Sequence, residues 1–408
     1  MKSATVVLEG LSLCKLCQKR LGIKLDVIDS EDACSVCAGA MALVKPLSDD
    51  IVEQLKRYDY NTFLIGASVP HIILDNDDEL RSRFKIKDRD SIKSQITKLL
   101  SEKVKTQTGK TVNYSKPDLT VLASIADREI SVSLRSLWLG GKYVKLKRGL
   151  PQRSSACDVC NGLGCAECGY RGRSLESVQG KITHFLTSAF QAESCNFVWL
   201  GSEDENSLVK SPGRPFYVEV VKPKKRFAMM EKLSTSNLDS PKGRRAAFFR
   251  TEEVQVRDLQ LLEKRVTNVP MFEITAKVHL KKKPEVQPLN PSQVETIESK
   301  FAKMRASVRL SRKFRTVQKE IHWIHCKLLE KGETLELEIN CDGGVPLKKL
   351  VSGQDNTVTP NLGELLASYE VDREQPFDIL KVKIKDGAGT RATSMMPTAA
   401  LNVPDYDE

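Results

Sequence analysis

The arrangement of the cysteines constrains the fold of this chain more than any other sequence feature. Eight of the eleven cysteines form four Cys-x-x-Cys pairs. So many cysteines without an export signal argue against a disulfide framework and favour metal binding. The pairs form two groups of four: Cys14, Cys17, Cys34 and Cys37, then Cys157, Cys160, Cys165 and Cys168. Four thiolates can enclose one zinc ion in a tetrahedron and leave no position open for water. We therefore predict one or two zinc ions with a structural role.

The two groups differ in the spacer between their pairs. Sixteen residues separate the pairs of the first group, as in a zinc ribbon or treble clef, and four separate those of the second. Gly162 and Gly164 permit such a short chain reversal. The second group resembles one unit of the cysteine-rich region of DnaJ-type chaperones. A chaperone would need several units and a helix bearing His-Pro-Asp, so this function is excluded.

Length and charge narrow the class of protein further. A chain of 408 residues is expected to divide into two or three domains. Its net charge of +11 and pI near 9.0 favour a polyanionic partner. No apolar run is long enough for a transmembrane helix, and the first ten residues are too polar for a signal peptide. We expect a cytoplasmic protein without membrane association.

The hydrophobic pattern predicts two α+β regions. In the first, residues 92–104 show helical spacing before Gly109, and His71-Ile-Ile-Leu74 is predicted to be a strand. In the second, a helix over Val178–Phe190 precedes several strands that are separated by helices and long loops. This order predicts a mixed sheet in a larger domain.

An acidic turn is the main candidate for chemistry. Gly201-Ser-Glu-Asp204 follows the strand that ends at Leu200, and Gly213-Arg-Pro-Phe216 stands twelve residues later. A carboxylate on such a turn is exposed and rigidly placed, as a nucleophile or base requires. The alternative is an ordinary acidic loop, because residues 203–205 are all acidic.

The order of these motifs resembles a known family. It runs from the first cysteine group through an α+β block like a THUMP domain to Leu137-Trp-Leu-Gly-Gly-Lys-Tyr-Val-Lys-Leu-Lys-Arg148, the compact cysteine group and the acidic turn. Gly343-Gly-Val-Pro-Leu-Lys-Lys follows, before Thr359-Pro-Asn-Leu-Gly. This order resembles the archaeal and eukaryotic tRNA pseudouridine synthase family called Pus-ten, over residues 10 to 385. The compact cysteine group indicates the archaeal branch.

The resemblance implies an α+β protein with a zinc module and a THUMP-like RNA-binding domain ahead of a catalytic domain. The catalytic domain is expected to contain a mixed, mainly antiparallel sheet with flanking helices. The expected limits are 1–57 for the zinc module, 58–150 for the THUMP-like domain, 151–175 for the cysteine-rich insert, 176–386 for the catalytic domain and 387–408 for a disordered tail.

The resemblance also implies a reaction, an isomerisation of uridine to pseudouridine at tRNA positions 54 and 55, in the T loop. No organic cofactor is expected, and the target base must leave the stack. Asp204 matches the catalytic aspartate, which acts at C1′ or at the 2′ position of the ribose. Arg214, Ile274, Pro346 and Lys348 match substrate-binding positions. The implied partner is tRNA, bound through its T arm and acceptor stem by a monomer.

Several positions depart from the family pattern. Ser202 and Leu208 replace arginines, Ile274 replaces a tyrosine that stacks on the target base, and Pro346 replaces a second aromatic residue. A catalytically weakened tRNA-binding scaffold or folding aid is therefore the alternative function. The chain shows neither the Gly-rich loop of a methyltransferase nor the His-x-Glu motif of a deaminase, nor a P-loop-like site for thiolation.

Basic runs predict contacts with phosphate groups. They comprise Lys222, Lys224, Lys225 and Arg226, then Lys281 to Lys283, then Lys348 and Lys349. Such contacts would set affinity and orientation, because phosphate carries no base identity.

Overall fold

A computed structural model describes residues 11–23, 33–227, 249–310 and 315–385. The predicted tail, 387–408, lies outside this part of the chain. Two compact units are present: residues up to 137 form most of the first, and residues from 138 form most of the second. Two short segments, 189–194 and the described residues 220–227, also belong to the first unit. Among the described residues, no helix combines the length and apolar character needed to cross a membrane.

Within the described residues, the first unit contains a four-stranded sheet and four α-helices. Its strands are β1 (Thr62–Ser68), β2 (Thr111–Val112), β3 (Leu119–Ser124) and β4 (Ile130–Leu134). Its helices are α1 (Lys15–Leu21), α2 (Val44–Leu55), α3 (His71–Arg83) and α4 (Ile92–Thr108). The strand order is β2-β1-β3-β4, with β1 parallel to both neighbours and β4 antiparallel to β3.

Local sequence explains the ends of α4. The Ser91 hydroxyl accepts a hydrogen bond from the Ser94 amide, and Gly109 ends the helix in the left-handed conformation. The prediction of this helix is confirmed. The predicted strand at His71–Leu74 is wrong, because these residues begin α3. Buried Ile73, Asp77 and Leu80 recur at helical spacing, and this longer pattern outweighs the short apolar run.

One hydrophobic core extends through the first unit. The first cysteine group packs in the same core as Ile51 of α2, Phe63 of β1 and Leu100 of α4. The predicted zinc module therefore does not have a core separate from that of the four-stranded sheet.

The second unit is organised around a large mixed sheet. Its strands before residue 300 are β5 (Leu137–Lys145), β6 (Ser194–Trp199), β7 (Leu208–Val221), β8 (Phe249–Arg250), β9 (Val254–Leu262) and β10 (Phe272–Lys282). The later strands are β11 (Met304–Leu310), β12 (Arg315–Leu329), β13 (Thr334–Asp342), β14 (Val358–Thr359), β15 (Tyr369–Val371) and β16 (Phe377–Ile384).

The strand order in this sheet is β14-β11-β12-β13-β10-β16-β7-β5-β9-β8, with β15 beside β10 and β6 beside β7. The pairing of β16 with β7 is parallel, whereas the pairings of β10, β12 and β9 with their neighbours are antiparallel. The α-helices in the described part of this unit are α5 (Val178–Phe190), α6 (Pro291–Lys300) and α7 (Leu347–Ser352). The predicted α+β class and the mainly antiparallel mixed sheet are confirmed. Strand β5 lies within the predicted range 58–150 but pairs in this larger sheet.

Candidate active site

The acidic turn forms a loop, residues 200–207, that connects β6 to β7 in the second unit. Gly201 is essential to its shape. Its φ of 79° favours glycine, and a β-carbon there would lie 2.8 Å from Nη2 of Arg214. A larger residue at this position would therefore displace the loop.

The Asp204 carboxylate has two hydrogen-bond donors. The amide of Asn206 donates to Oδ1 at 3.0 Å, and the Lys348 ammonium donates to Oδ2. Partial burial acts to raise the pKa of Asp204, but the hydrogen bond and positive charge of Lys348, with the Asn206 amide, hold this pKa below its usual value. The side chain is 25% exposed. Asp204 is therefore an ionised carboxylate that a substrate can reach.

Arg214 of β7 is buried and makes several hydrogen bonds to the loop. Its guanidinium donates to the Leu200 carbonyl at 2.5 and 3.1 Å and to the Ser202 carbonyl at 3.2 Å. It also pairs with the carboxylate of Glu203 at 3.4 Å. Arg214 is only 1% exposed. Its predicted substrate-binding role stays a prediction, but the buried contacts indicate that it holds the loop.

Glu203 lies in a buried polar cluster with Tyr143 and Lys145 of β5. The Tyr143 hydroxyl donates to Glu203 Oε2 at 2.8 Å, and the Lys145 ammonium is 3.3 Å from Oε1. Burial lowers the pKa of Lys145, against the opposing effect of Glu203. Burial likewise raises the pKa of Tyr143 well above its usual value. A buried carboxylate needs such compensation.

Lys145 also fixes the backbone beside the candidate catalytic residue. Its ammonium donates to the carbonyls of Leu150, Asp204 and Glu205 at 2.9, 3.0 and 3.1 Å. These three acceptors use all the hydrogens of the ammonium, so the contact with Glu203 is an ionic one. This role of Lys145 was not predicted from the sequence. Residues 143–145 of β5 are all buried, which the alternating pattern of a strand does not predict, so no sequence signal marked Lys145 as buried.

The ring of Phe272, which is 9% exposed, also lies beside this loop. A β-carbon on Gly201 would lie 3.2 Å from the Phe272 ring, and one on Gly343 would lie 2.4 Å from it. Ile274 follows on the same face of β10 and is 7% exposed. The structure thus brings a ring to the loop from position 272, two residues before the position predicted for base contact. The available sequence signal was the alternation Phe272-Glu-Ile274, which places both apolar side chains on one face of β10.

Pro346 precedes α7 and orients it. The Pro346 carbonyl accepts hydrogen bonds from the amides of Lys349 and Leu350, both at 3.0 Å. The side chain of Lys348 leaves this helix and reaches Asp204. Asp204 therefore pairs with a cation from a distant segment, while Ser202, at the position of the expected arginine, offers its carbonyl to Arg214.

Most lysines and arginines of the basic runs are engaged within the protein. Arg226 is 3% exposed and pairs with Asp118 at 2.9 Å. Lys281 pairs with Asp372 at 3.1 Å, and Lys349 with Asp355 at 3.2 Å. The burial of Arg226 excludes the predicted phosphate contact for that residue, whereas Lys281 is 58% exposed and remains accessible.

The two cysteine groups have the geometry of four-sulfur metal sites. Within each group the sulfur atoms lie within 4.8 Å of one another. The Cys14 and Cys37 sulfurs are 3.8 Å apart, and those of Cys157 and Cys165 are 3.9 Å apart. A tetrahedral zinc ion with bonds of about 2.3 Å requires sulfur separations of about 3.8 Å. Both groups could therefore hold a metal ion, and their sulfurs fit zinc.

Comparison with protein families gives two matches that together cover most of the chain. Residues 138–383 match the model described as "Pus10, C-terminal". Residues 47–124 match the model described as "Pus10 THUMP domain, archaeal". These matches confirm the predicted family and its archaeal branch.

Similar curated proteins carry the name of the family that these two models describe. The tRNA pseudouridine synthase Pus10 of Nitrosopumilus maritimus is 28% identical over 359 residues, which cover 85% of this chain and 86% of that protein. The protein of the same name from Archaeoglobus fulgidus is 26% identical, over 90% of this chain and 99% of its own length. A solved Cbf5–Nop10–Gar1 complex aligns with a TM-score of 0.29 and 8% identity, over 59% of this chain and 48% of its own, too weak to support an argument.

Proposed function

The chain belongs to the Pus10 family, and we propose from this membership that it is a tRNA pseudouridine synthase. Within this function, we propose that it acts on uridine in the T loop, at tRNA position 54, 55 or both, and that Asp204 is the catalytic residue. The observation that carries the assignment is the state of Asp204: ionised, partly exposed and fixed by Lys348 and Asn206.

The proposed reaction needs a base that is flipped out of the tRNA. The Asp204 carboxylate then acts on the ribose, either by bonding to C1′ or by removing the 2′ proton. The glycosidic electron pair leaves with the uracil, which turns so that C5 bonds to C1′. The proton on C5 is then lost to a base and N1 of the uracil takes up a proton, so the product is an isomer of the substrate. On the first route C5 displaces the aspartate from C1′, and on the second the aspartic acid returns the proton to the 2′ position, so the aspartate is regenerated. The reaction is an isomerisation, so no oxidant or organic cofactor is needed.

The surrounding residues have supporting roles in this proposal. Lys348 keeps Asp204 ionised, and Arg214 with Lys145 holds the loop that presents it. Phe272 is 9% exposed and packs against the loop at Gly201, so we propose that it supports the shape of the loop. Ile274 is 7% exposed, and its contact with the target base stays a prediction.

The cysteine groups and the first unit have binding roles. We propose that each group holds one zinc ion, which is structural because four sulfurs saturate it. The zinc-bound first unit, which contains the THUMP-like sheet, would bind the acceptor stem and place the T arm. A monomer in the cytoplasm is the proposed working form.

The decisive experiment compares Asp204→Asn with wild type by mapping pseudouridine in a T-arm RNA. The substitution keeps the shape but removes the charge, so we expect no pseudouridine while tRNA binding persists. Asp355→Asn is the matched control. It removes an exposed carboxylate that pairs with the neighbouring Lys349, and it should leave the product yield unchanged.

The alternative function is a tRNA-binding scaffold that has lost catalysis. The departures at Ser202, Leu208 and Pro346 motivate it. Binding of tRNA by wild type without any pseudouridine in the bound RNA would sink the synthase proposal and favour the scaffold. Equal product from wild type and Asp204→Asn would instead refute the catalytic assignment of Asp204.

A further inference from the structure

The last part of the candidate catalytic loop is anchored by a strand far along the chain. Asp378 lies at the start of β16 and faces Leu208, the first residue of β7, in the parallel pairing of these strands. Its Oδ1 accepts a hydrogen bond from the Leu208 amide at 3.2 Å. The residue is 6% exposed. A buried carboxylate therefore binds the backbone amide of the first residue after the loop.

Arg148 connects this carboxylate to the loop. Its Nη1 lies 2.8 Å from Oδ1 of Asp378, and its Nη2 donates to Oδ2 at 3.2 Å. The same Nη1 donates to the Asn206 carbonyl at 2.6 Å. A two-point pair with a carboxylate fixes the guanidinium plane and therefore fixes the direction of the third hydrogen bond.

Asn206 completes the connection. Its carbonyl is held by Arg148, and its amide donates to Oδ1 of Asp204 at 3.0 Å. A shift of this residue would change the orientation of the Asp204 carboxylate. The contacts thus form a continuous path from Asp378 through Arg148 and Asn206 to Asp204.

Further groups surround the Asp378 carboxylate. His279 of β10 lies 3.6 Å from Oδ2, and Lys210 of β7 lies 3.9 Å from it. Burial acts to raise the pKa of Asp378, but His279, Arg148 and the Leu208 amide together hold it well below the usual range. The anchor is therefore charged throughout the neutral pH range.

From this path we propose that Asp378 and Arg148 are positioning residues for the reaction. They act by holding Asn206 so that its amide orients the Asp204 carboxylate. This inference rests on the proposed function, since Asp204 is the group they position. Neither residue touches the substrate in this role.

Activity measurements give the first test, with Asp378→Asn as the main variant. Asparagine still accepts the Leu208 hydrogen bond but loses the ion pair with Arg148. We expect the turnover number for pseudouridine formation to fall about 10- to 100-fold while KM for tRNA changes less than about 3-fold. Arg148→Lys keeps the charge but not the two-point geometry, and it should show the same split to a smaller degree.

Lys210→Met is the matched control. It removes another cation that faces the same carboxylate, but the path to Asn206 remains, so turnover should stay at the wild-type value. A further test combines Asp378→Asn with Arg148→Met. The double variant should be no less active than the less active of its two single variants, because both substitutions break the same path to Asn206. Multiplicative losses, a rise in KM alone, or wild-type turnover in Asp378→Asn would overturn the proposal.

A second readout does not depend on catalysis. Carbon-13 NMR of labelled aspartate carboxyls, assigned by comparison with Asp204→Asn, would report the titration of Asp204. Asp378→Asn should raise the pKa of Asp204, because the Asn206 amide would no longer stabilise the carboxylate. An unchanged Asp204 titration would refute the positioning role even if wild type made no pseudouridine. A wild type without product would by itself count only against the proposed function.

Discussion

The two cysteine groups share one ligand set but lie in different surroundings. The sulfur residues of the first group, Cys14 to Cys37, are at most 3% exposed and belong to the core of the first unit. In the second group, Cys160 and Cys165 are partly exposed, and the nearby Leu163 and Tyr170 are 91% and 80% exposed. A metal in the first group would therefore stabilise a whole core, whereas one in the second would close a loop.

Backbone contacts explain how the second group keeps its shape without a core. A β-carbon on Gly172 would lie 2.2 Å from the Gly162 carbonyl oxygen, and one on Gly164 would lie 2.9 Å from that of Tyr170. The two Cys-x-x-Cys turns thus pack backbone to backbone. Glycine and sulfur replace hydrophobic side chains as the source of order in this loop.

The largest expected effect comes from Cys17→Ser. Loss of one thiolate should release the metal and expose the core, at a cost comparable to the whole stability of a domain, about 5–15 kcal/mol. Hydrogen exchange measured by mass spectrometry should show lost protection throughout residues 33–137. Native mass spectrometry should show one zinc ion fewer than in wild type. Retained protection in β1 and α4 would contradict the idea of a shared core.

A smaller effect is expected from Leu13→Ala. Leu13 is fully buried beside the first group, so its truncation should cost about 2–5 kcal/mol and lower the melting temperature. Leu163→Ala is the matched control, because this leucine is almost fully exposed and its truncation should change stability by less than about 0.5 kcal/mol. Equal losses of stability in the two variants would contradict the view that only the first cysteine group lies in a hydrophobic core.

The smallest expected effect on global stability comes from Cys160→Ser. The second metal should be lost. The free energy of unfolding, measured by thermal denaturation, should fall by no more than about 2 kcal/mol, because few core contacts depend on this loop. The amides of Asn161, Leu163 and Gly169, which donate within the loop, should exchange faster. Faster exchange in the first unit as well would show that the second group stabilises more than its own loop.

The sequence predicted the features that depend on local chemistry. The four Cys-x-x-Cys pairs gave both metal-competent groups, and Ser91 with Gly109 marked the ends of α4. His71–Leu74 was mistaken for a strand because four residues are too few to distinguish the two periodicities. The position of Asp204 on a loop between strands also followed from local pattern.

The surroundings of Asp204 could not be predicted in this way. Lys145, Lys348 and Asp378 approach the loop from three separate strands or helices, and their sequence distances from Asp204 are 59, 144 and 174 residues. A lysine or aspartate in a strand has the same letter whether it is buried or solvated. Tertiary pairing alone decides which basic or acidic residue meets the loop.

The parallel pairing of β16 with β7 has a consequence for biosynthesis. Arg148 and Asp378, which meet beside the loop, are separated by 230 residues. During translation Asp204 leaves the ribosome long before β16 exists, because the chain is synthesised from its N-terminus. The loop can therefore take its final shape only after residues 377–384 have been synthesised. The backbone beside Asp204 would be held as described above only from this late step, even with both cysteine groups already assembled.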